Sequence, residues 1–101
     1  MKIVSVNDFK GNFFSVLETT DKSQVCVMTI GPGKDSGPEE THSGDQIVYV
    51  IEGEARITVD NEEGHGKKGD IIVIPTGARH HIYNDGKEDL FFLTLYAPPQ
   101  Y

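Results

Sequence analysis

Short apolar runs separated by turn-forming residues make up the whole chain. Glycine, proline and Asx-type turn residues recur every several positions, so helices of ordinary length have no room to form. The runs between them are rich in Val, Ile, Thr, Phe and Tyr, which favour extended structure. The pattern predicts strands at Phe13–Thr19, Gln24–Ile30, Gln46–Glu52, Ala55–Val59, Ile71–Ile74, His80–Asn84 and Leu90–Tyr96, with a weaker one near His65–Lys67. So many short strands, with at most one helical turn near Asn7–Gly11, indicate an all-β sandwich or small barrel.

Length and charge narrow the possible functions. The 101 residues suit one domain spanning residues 1–101. The excess of 16 acidic over 9 basic residues gives a formal net charge of −7, which disfavours nucleic acid and anionic membrane surfaces as partners. No apolar run approaches the roughly 20 residues of a membrane span. Cys26 is the only cysteine, which excludes an internal disulfide, so a cytoplasmic location is the default expectation.

A polar cluster precedes the third predicted strand. Glu40 and His42 are two residues apart, so their side chains leave the same face of an extended chain. Gln46 shares that face if the intervening turn keeps the register. A carboxylate, an imidazole and an amide oxygen together form part of a shell for a divalent metal. The segment by itself is better explained as a polar turn before a strand.

The segment Gly69 to Asn84 is more specific. Its spacing is Gly, five residues, Pro, one residue, Gly, two residues, His, three residues, Asn. Here Pro75 ends a strand, and Gly77 permits the reversal that delivers His80 to the next strand. This spacing resembles the second sequence motif of the cupin family at every defining position.

The upstream cluster then resembles the first cupin motif, with Gly53 setting the register. Gln46 stands where the family has Glu, His42 matches the second family His, and Glu40 replaces the first. The resemblance spans Lys34 to Asn84. The closing residues 96–99, Tyr-Ala-Pro-Pro, also resemble small cupins described as mannose-6-phosphate-isomerase-like. The resemblance implies a cupin double-stranded β-helix, a jelly-roll-like small barrel.

By this resemblance the metal ligands are Glu40, His42, Gln46 and His80, in place of the usual three His and one Glu. All four side chains can donate a lone pair, and the set keeps one negative charge. Two imidazoles with two oxygens suit Mn, Fe, Co, Ni or Zn, and the residues do not select among them. Glu40, if loosely bound, is also the candidate general base. A register slip of one residue would substitute Glu39 for Glu40.

Other polar residues are expected to lie outside the site. His81 should point to the opposite face from His80, as a surface or interface residue, and His65 should lie in a solvated loop. Asn84 is expected to hold a turn through its amide, and Glu62-Glu63 to form a solvated hairpin tip. The aromatic residues Phe9, Phe13 and Phe14 suit either a homodimer interface, which the family resemblance favours, or a cap on the chain's own core.

Three functions remain open on the sequence. The first is a metal-dependent enzyme acting on a small oxygenated molecule such as a sugar, sugar acid or organic acid. The cupin resemblance implies isomerase, dioxygenase or decarboxylase chemistry, and the fold does not select one. The second is a non-catalytic module that binds a small ligand, and the third is a structural barrel with a vestigial site.

Overall fold

The computed structural model describes all residues from Met1 to Tyr101, and its regular secondary structure consists almost wholly of antiparallel strands. A single 3-10 turn, η1 (Val6–Phe9), precedes them, close to the predicted helical turn. The strands are β1 (Phe14–Thr19), β2 (Gln24–Ile30), β3 (Asp45–Glu52), β4 (Glu54–Val59), β5 (Glu62–Lys67), β6 (Ile71–Ile74), β7 (His80–Tyr83) and β8 (Leu90–Ala97). The all-β expectation is confirmed. No helix in the structure has the length and apolar character needed to cross a membrane.

The strands form two sheets that face each other. One sheet has five strands in the order β1-β2-β8-β3-β6, and the other has three in the order β5-β4-β7. In β3, buried and exposed residues alternate from Asp45 to Val50, as expected when one face of a strand lies against a core. Val48 and Val50 therefore point inward, while Ile47 and Tyr49 point outward. The inward residues of both sheets form one ten-residue apolar core.

A second, smaller cluster lies on the outer face of the five-stranded sheet. Leu17, Val27 and Phe91 form it, and the N-terminal residues Val4, Val6 and Phe9 pack against them. Phe9 thus covers its own sheet, which supports the core-cap interpretation of this residue. Phe13 and Phe14 instead line a cavity at one end of the fold. Nothing in this arrangement requires a partner subunit for these three rings.

The β3–β4 turn shows why a glycine sets the register of the first motif. Gly53 is the only residue between the two strands and has a φ of 82°. A Cβ atom there would lie 2.5 Å from the backbone oxygen of Asp89. Glycine meets both demands, because it lacks a side chain and tolerates positive φ.

The structure corrects two details of the sequence analysis. Glu62 and Glu63 do not form the hairpin tip, since the turn lies at Asp60-Asn61 and the two glutamates open β5. Their side chains are exposed, as expected. His65 is also exposed, but it lies within β5 opposite Arg56 and not in a loop. The segment Glu62–Lys67 has few strongly β-forming residues, so its pairing with β4 decides its conformation.

Candidate metal centre

Three backbone segments converge at one end of the two sheets. Glu40 forms an isolated bridge with His80, the first residue of β7, through hydrogen bonds of 2.9 and 3.1 Å. The carbonyl oxygen of His42 accepts a hydrogen bond from the amide of Gly77, 2.9 Å away. The turn at residues 75–77 therefore docks on the segment that carries Glu40 and His42. Asp45 reinforces this docking by accepting bonds from the amide and hydroxyl of Thr76 at 3.0 and 2.8 Å.

This backbone arrangement brings three of the predicted ligands together. One donor atom each from Glu40, His42 and His80 lies within 4.8 Å of the others. The two imidazole rings stack with centroids 4.9 Å apart. The carboxylate in the cluster belongs to Glu40, so the alternative register with Glu39 is not the one adopted. The side chain of Glu40 is 46% exposed, whereas that of His42 is 9% exposed.

Gln46, the fourth predicted ligand, lines the same cavity as Glu40 and His80. Its amide nitrogen donates to the Thr94 hydroxyl at 3.0 Å and to the Tyr96 hydroxyl at 3.3 Å. These two bonds orient the amide, and the carbonyl oxygen Oε1 is left buried with no hydrogen-bond partner. A buried acceptor without a partner is costly unless a ligand, ion or water satisfies it.

The histidines are held in a form suited to metal binding. Nδ1 of His80 lies 3.2 Å from the carbonyl oxygen of Ala78, and donation to that oxygen leaves Nε2 with its lone pair. Burial and the neighbouring His80 lower the pKa of His42, partly offset by Glu40. His42 is therefore neutral near pH 7, the state in which an imidazole binds a metal. Its Nδ1 is buried without a partner.

The donor set therefore fits a divalent transition metal. It offers imidazole nitrogen, carboxylate oxygen and amide oxygen, and the amide oxygen of Gln46 is buried without a partner in the protein. Neutral imidazoles and a carboxylate are donors for Mn, Fe, Co, Ni and Zn alike.

The cavity beside the cluster has a volume of about 220 Å³. About half of its lining is apolar, with Phe13, Phe14, Met28, Ile82 and Phe92 among the lining residues. The polar part consists of Glu40, Gln46, His80 and the hydroxyls of Ser36, Thr94, Tyr96 and Tyr101. An apolar pocket with a few converging polar groups is the usual form of a small-molecule site.

Two other residues lie where the sequence placed them. His81 points away from the cluster, with Nδ1 2.9 Å from the Tyr83 hydroxyl and Nε2 3.5 Å from Asp35. Asn84 is 1% exposed and donates two 2.8 Å bonds to the carbonyls of Ile30 and Glu88. Its side-chain oxygen accepts the amide of Gly86 at 2.9 Å, so Asn84 holds a turn as expected.

Three tyrosine or threonine hydroxyls of the site were not predicted. Thr94 and Tyr96 occupy inward positions of β8, where a polar residue in an otherwise apolar pattern was the available signal. Burial raises the pKa of Tyr96 to about 12, so its hydroxyl is protonated at neutral pH. Tyr101 donates to Glu40 Oε2 at 2.9 Å and lies 3.0 Å from His42 Nε2. No local pattern points to Tyr101, because its contacts come from residues about sixty positions away.

Comparison with known proteins identifies the family. The cupin domain profile matches residues 26–96, so the chain belongs to the cupin family. An uncharacterised protein of Methanocaldococcus jannaschii is 40% identical over 78 residues, which cover 77% of this chain and 62% of that protein. The chain spans between 51% and 62% of the length of three curated relatives that it matches.

Solved structures confirm the fold. A crystal structure from Bacillus halodurans has a TM-score of 0.89 and 30% identity, covering 99% of this chain and 83% of that one. A protein from Klebsiella pneumoniae, described as having a double-stranded β-helix domain, has a TM-score of 0.86 and 30% identity, covering 97% and 90%. The fold is the cupin double-stranded β-helix.

Several relatives carry the names of enzymes with different chemistries, among them a dioxygenase, a decarboxylase and a mannose-1-phosphate guanylyltransferase. A gentisate 1,2-dioxygenase of Ralstonia is 35% identical over 63 residues, which cover 61% of this chain and 18% of the enzyme. An oxalate decarboxylase of Bacillus subtilis is 30% identical over 84 residues, which cover 75% and 21%. The similarity covers only a small part of each enzyme.

Proposed function

We propose that this cupin binds one divalent transition metal through Glu40, His42, Gln46 and His80 and acts as an enzyme on a small oxygenated molecule. The observation that carries the proposal is the unsatisfied Oε1 of Gln46 in a cavity that also contains the Glu40–His80 cluster. Among the relatives with enzyme names, the gentisate dioxygenase and the oxalate decarboxylase support a catalytic role of dioxygenase or decarboxylase type.

Each residue has a separate task in this proposal. A bound metal supplies Lewis acidity toward an oxygen of the substrate. His42 and His80, both largely buried, hold the centre in place. The apolar lining excludes water from the substrate body. Glu40 is half exposed and lines the cavity, so it is the ligand that we assign to accept a substrate proton.

We also propose that the protein is a homodimer and is located in the cytoplasm. Ile47 and Tyr49 of β3 pair with Val73 and Ile71 of the edge strand β6, and all four side chains are exposed on the outer face. An uncharged apolar patch on an edge of a sheet is a suitable surface for a second copy. This patch, and not the N-terminal aromatic residues, supports the dimer.

The direct test is metal content. Metal-depleted protein is supplied separately with Mn, Fe(II), Co, Ni and Zn, desalted, and analysed for bound metal. We expect close to one equivalent of at least one ion per chain. His80→Ala should lose most of it while keeping its far-ultraviolet circular dichroism. His65→Ala, in an exposed strand position, is the matched control and should retain it. Equally low metal in the wild type and in His80→Ala contradicts the proposal.

A second measurement separates enzyme from binding module. The protein is screened with small sugars, sugar acids, organic acids and aromatic acids by thermal shift, with and without metal, and each hit is tested for turnover. Turnover that depends on metal supports the enzyme. A thermal shift that persists after chelation, with no turnover, supports a non-catalytic ligand-binding module instead. No shift with any compound supports a vestigial site.

A further inference from the structure

The side chain of Tyr101 occupies the mouth of the candidate metal centre. Its hydroxyl oxygen lies 2.9 Å from Glu40 Oε2 and 3.0 Å from His42 Nε2, and these two atoms are 3.4 Å apart. The three donor atoms thus form a compact triangle. Two of its corners are proposed metal ligands, and the third is an oxygen that can also donate a lone pair.

A buried amide holds Tyr101 in this position. Gln24 is 1% exposed, and its Oε1 accepts hydrogen bonds from the backbone amides of Gln100 and Tyr101 at 3.2 and 3.0 Å. Its Nε2 donates to the backbone oxygen of Tyr101 at 2.7 Å and to the Thr19 hydroxyl at 3.0 Å. Three of the four hydrogen bonds of this buried side chain therefore hold residues 100–101 in place.

Aromatic contacts fix the ring as well as the backbone. The Tyr101 ring lies 4.9 Å from Phe14 and 5.3 Å from Tyr96, measured between ring centroids. Both are within the range of favourable aromatic pairs. The hydroxyl is thereby placed against Glu40 and His42 by packing, and not only by the hydrogen bond that it makes there.

We propose that the Tyr101 hydroxyl oxygen is a fifth protein donor to the metal, an inference that rests on the metal site proposed above. Metal–nitrogen and metal–oxygen bonds are about 2.0–2.2 Å long, so adjacent ligand atoms lie about 3.0 Å apart in an octahedral shell and about 3.4 Å apart in a tetrahedral one. The three edges of the triangle, 2.9, 3.0 and 3.4 Å, match these two separations to within about 0.1 Å. On coordination the phenolic proton passes to solvent, as protons do from other protonated ligands.

This assignment has a consequence for the metal. A phenolate oxygen is a hard, anionic donor, so together with the Glu40 carboxylate it raises the negative charge of the ligand set to two and favours a divalent cation bound mainly by oxygen and nitrogen. Five protein donors also leave at most one position of an octahedral shell for an external oxygen. The site would therefore bind its ligand through a single oxygen while the apolar lining holds the rest of the molecule.

The test compares Tyr101→Phe with Tyr49→Phe. Tyr49 lies on the outer face of β3 and is 44% exposed, so its hydroxyl serves as the matched control. Both variants keep the aromatic ring and therefore its packing. Zinc affinity is measured by competition with a chromophoric chelator, and the iron(III) forms are examined by visible absorption for the charge-transfer band of a phenolate bound to iron.

We expect Tyr101→Phe to bind zinc at least about tenfold more weakly than wild type, since even residues outside the ligand shell cost 10–100-fold when removed. The visible band should be present in the wild type and in Tyr49→Phe, and absent in Tyr101→Phe. Wild-type affinity in Tyr101→Phe, or weaker affinity without a band in any form, overturns the ligand role and leaves the proposed function standing. Absence of metal binding in the wild type overturns both.

Discussion

Replacing Gln46 by Glu tests the amide that the structure leaves half satisfied. Gln46 is 3% exposed, and its nitrogen donates to Thr94 and Tyr96 while Oε1 has no partner. Gln46→Glu keeps the shape of the side chain, exchanges the donor for an acceptor and adds one negative charge. We therefore expect the substitution to lower the stability of the metal-free protein and to raise its affinity for a metal.

In the metal-free protein we expect a loss of stability. The variant loses two donated hydrogen bonds, and the Thr94 and Tyr96 hydroxyls recover part of them only by turning to donate to the new carboxylate. Leaving buried polar groups with poorer partners costs about 1–3 kcal/mol. For a domain of this size that is a fall in Tm of about 4–24 °C, at about 4–8 °C per kcal/mol.

The stability loss in Gln46→Glu should depend on pH with a defined sign. Burial raises the pKa of the introduced carboxyl above its unfolded value of about 4.3. The variant is then close to wild type below about pH 4.3 and loses relative stability as the pH rises through the folded pKa. Urea unfolding followed by circular dichroism at pH 4 and pH 7, with added chelator, measures this difference directly.

For metal binding we expect the substitution to be favourable. A carboxylate is a stronger donor than an amide oxygen, so Gln46→Glu should raise zinc affinity about tenfold or more. Gln46→Met, which keeps the volume and removes the oxygen, is the control and should lower it. If Gln46→Glu leaves metal-free stability unchanged and does not raise zinc affinity, then Oε1 does not face the metal and the ligand set is wrong at this position.

Two further predictions concern the neighbourhood of the site. Asn84→Ala should destabilise the protein by about 2–4 kcal/mol in urea unfolding, because it removes one buried and two partly buried hydrogen bonds to the backbone. Asn7→Ala, at an exposed position without side-chain hydrogen bonds, is the control and should leave the stability unchanged. Equal stability of the two variants would show that the turn does not need the amide. The lowered pKa of His42 means that the unfolded chain takes up a proton first, so metal-free protein should lose stability as the pH falls below about 6.5. His42→Gln should show a flatter stability profile between pH 7.5 and 5.5, and an unchanged slope would contradict the assignment.

Short stretches of sequence predicted correctly those features that depend only on neighbouring residues. The β-branched run Ile71–Ile74, bounded by Gly69-Asp70 and Pro75, forms a strand with the predicted bounds. Parity along an extended chain separated His80 from His81, and the structure places them on opposite sides. The positive φ of Gly53 and the amide bonds of Asn84 are likewise requirements of short turns, which a few adjacent residues express.

Features that depend on contacts between distant residues could not be predicted from short stretches of sequence. Strand β5 forms through pairing with β4 in spite of weak propensity. Spacing and the cupin resemblance favoured Glu40 over Glu39, and the bridge of Glu40 to His80 excludes the slip of one residue that would have exchanged them. Spacing and the cupin resemblance determined which residue types line the site. Tertiary structure alone determined that Gln24 anchors Tyr101 against Glu40 and His42, because a contact across sixty or more residues depends on how the whole chain packs and leaves no periodic trace in either segment.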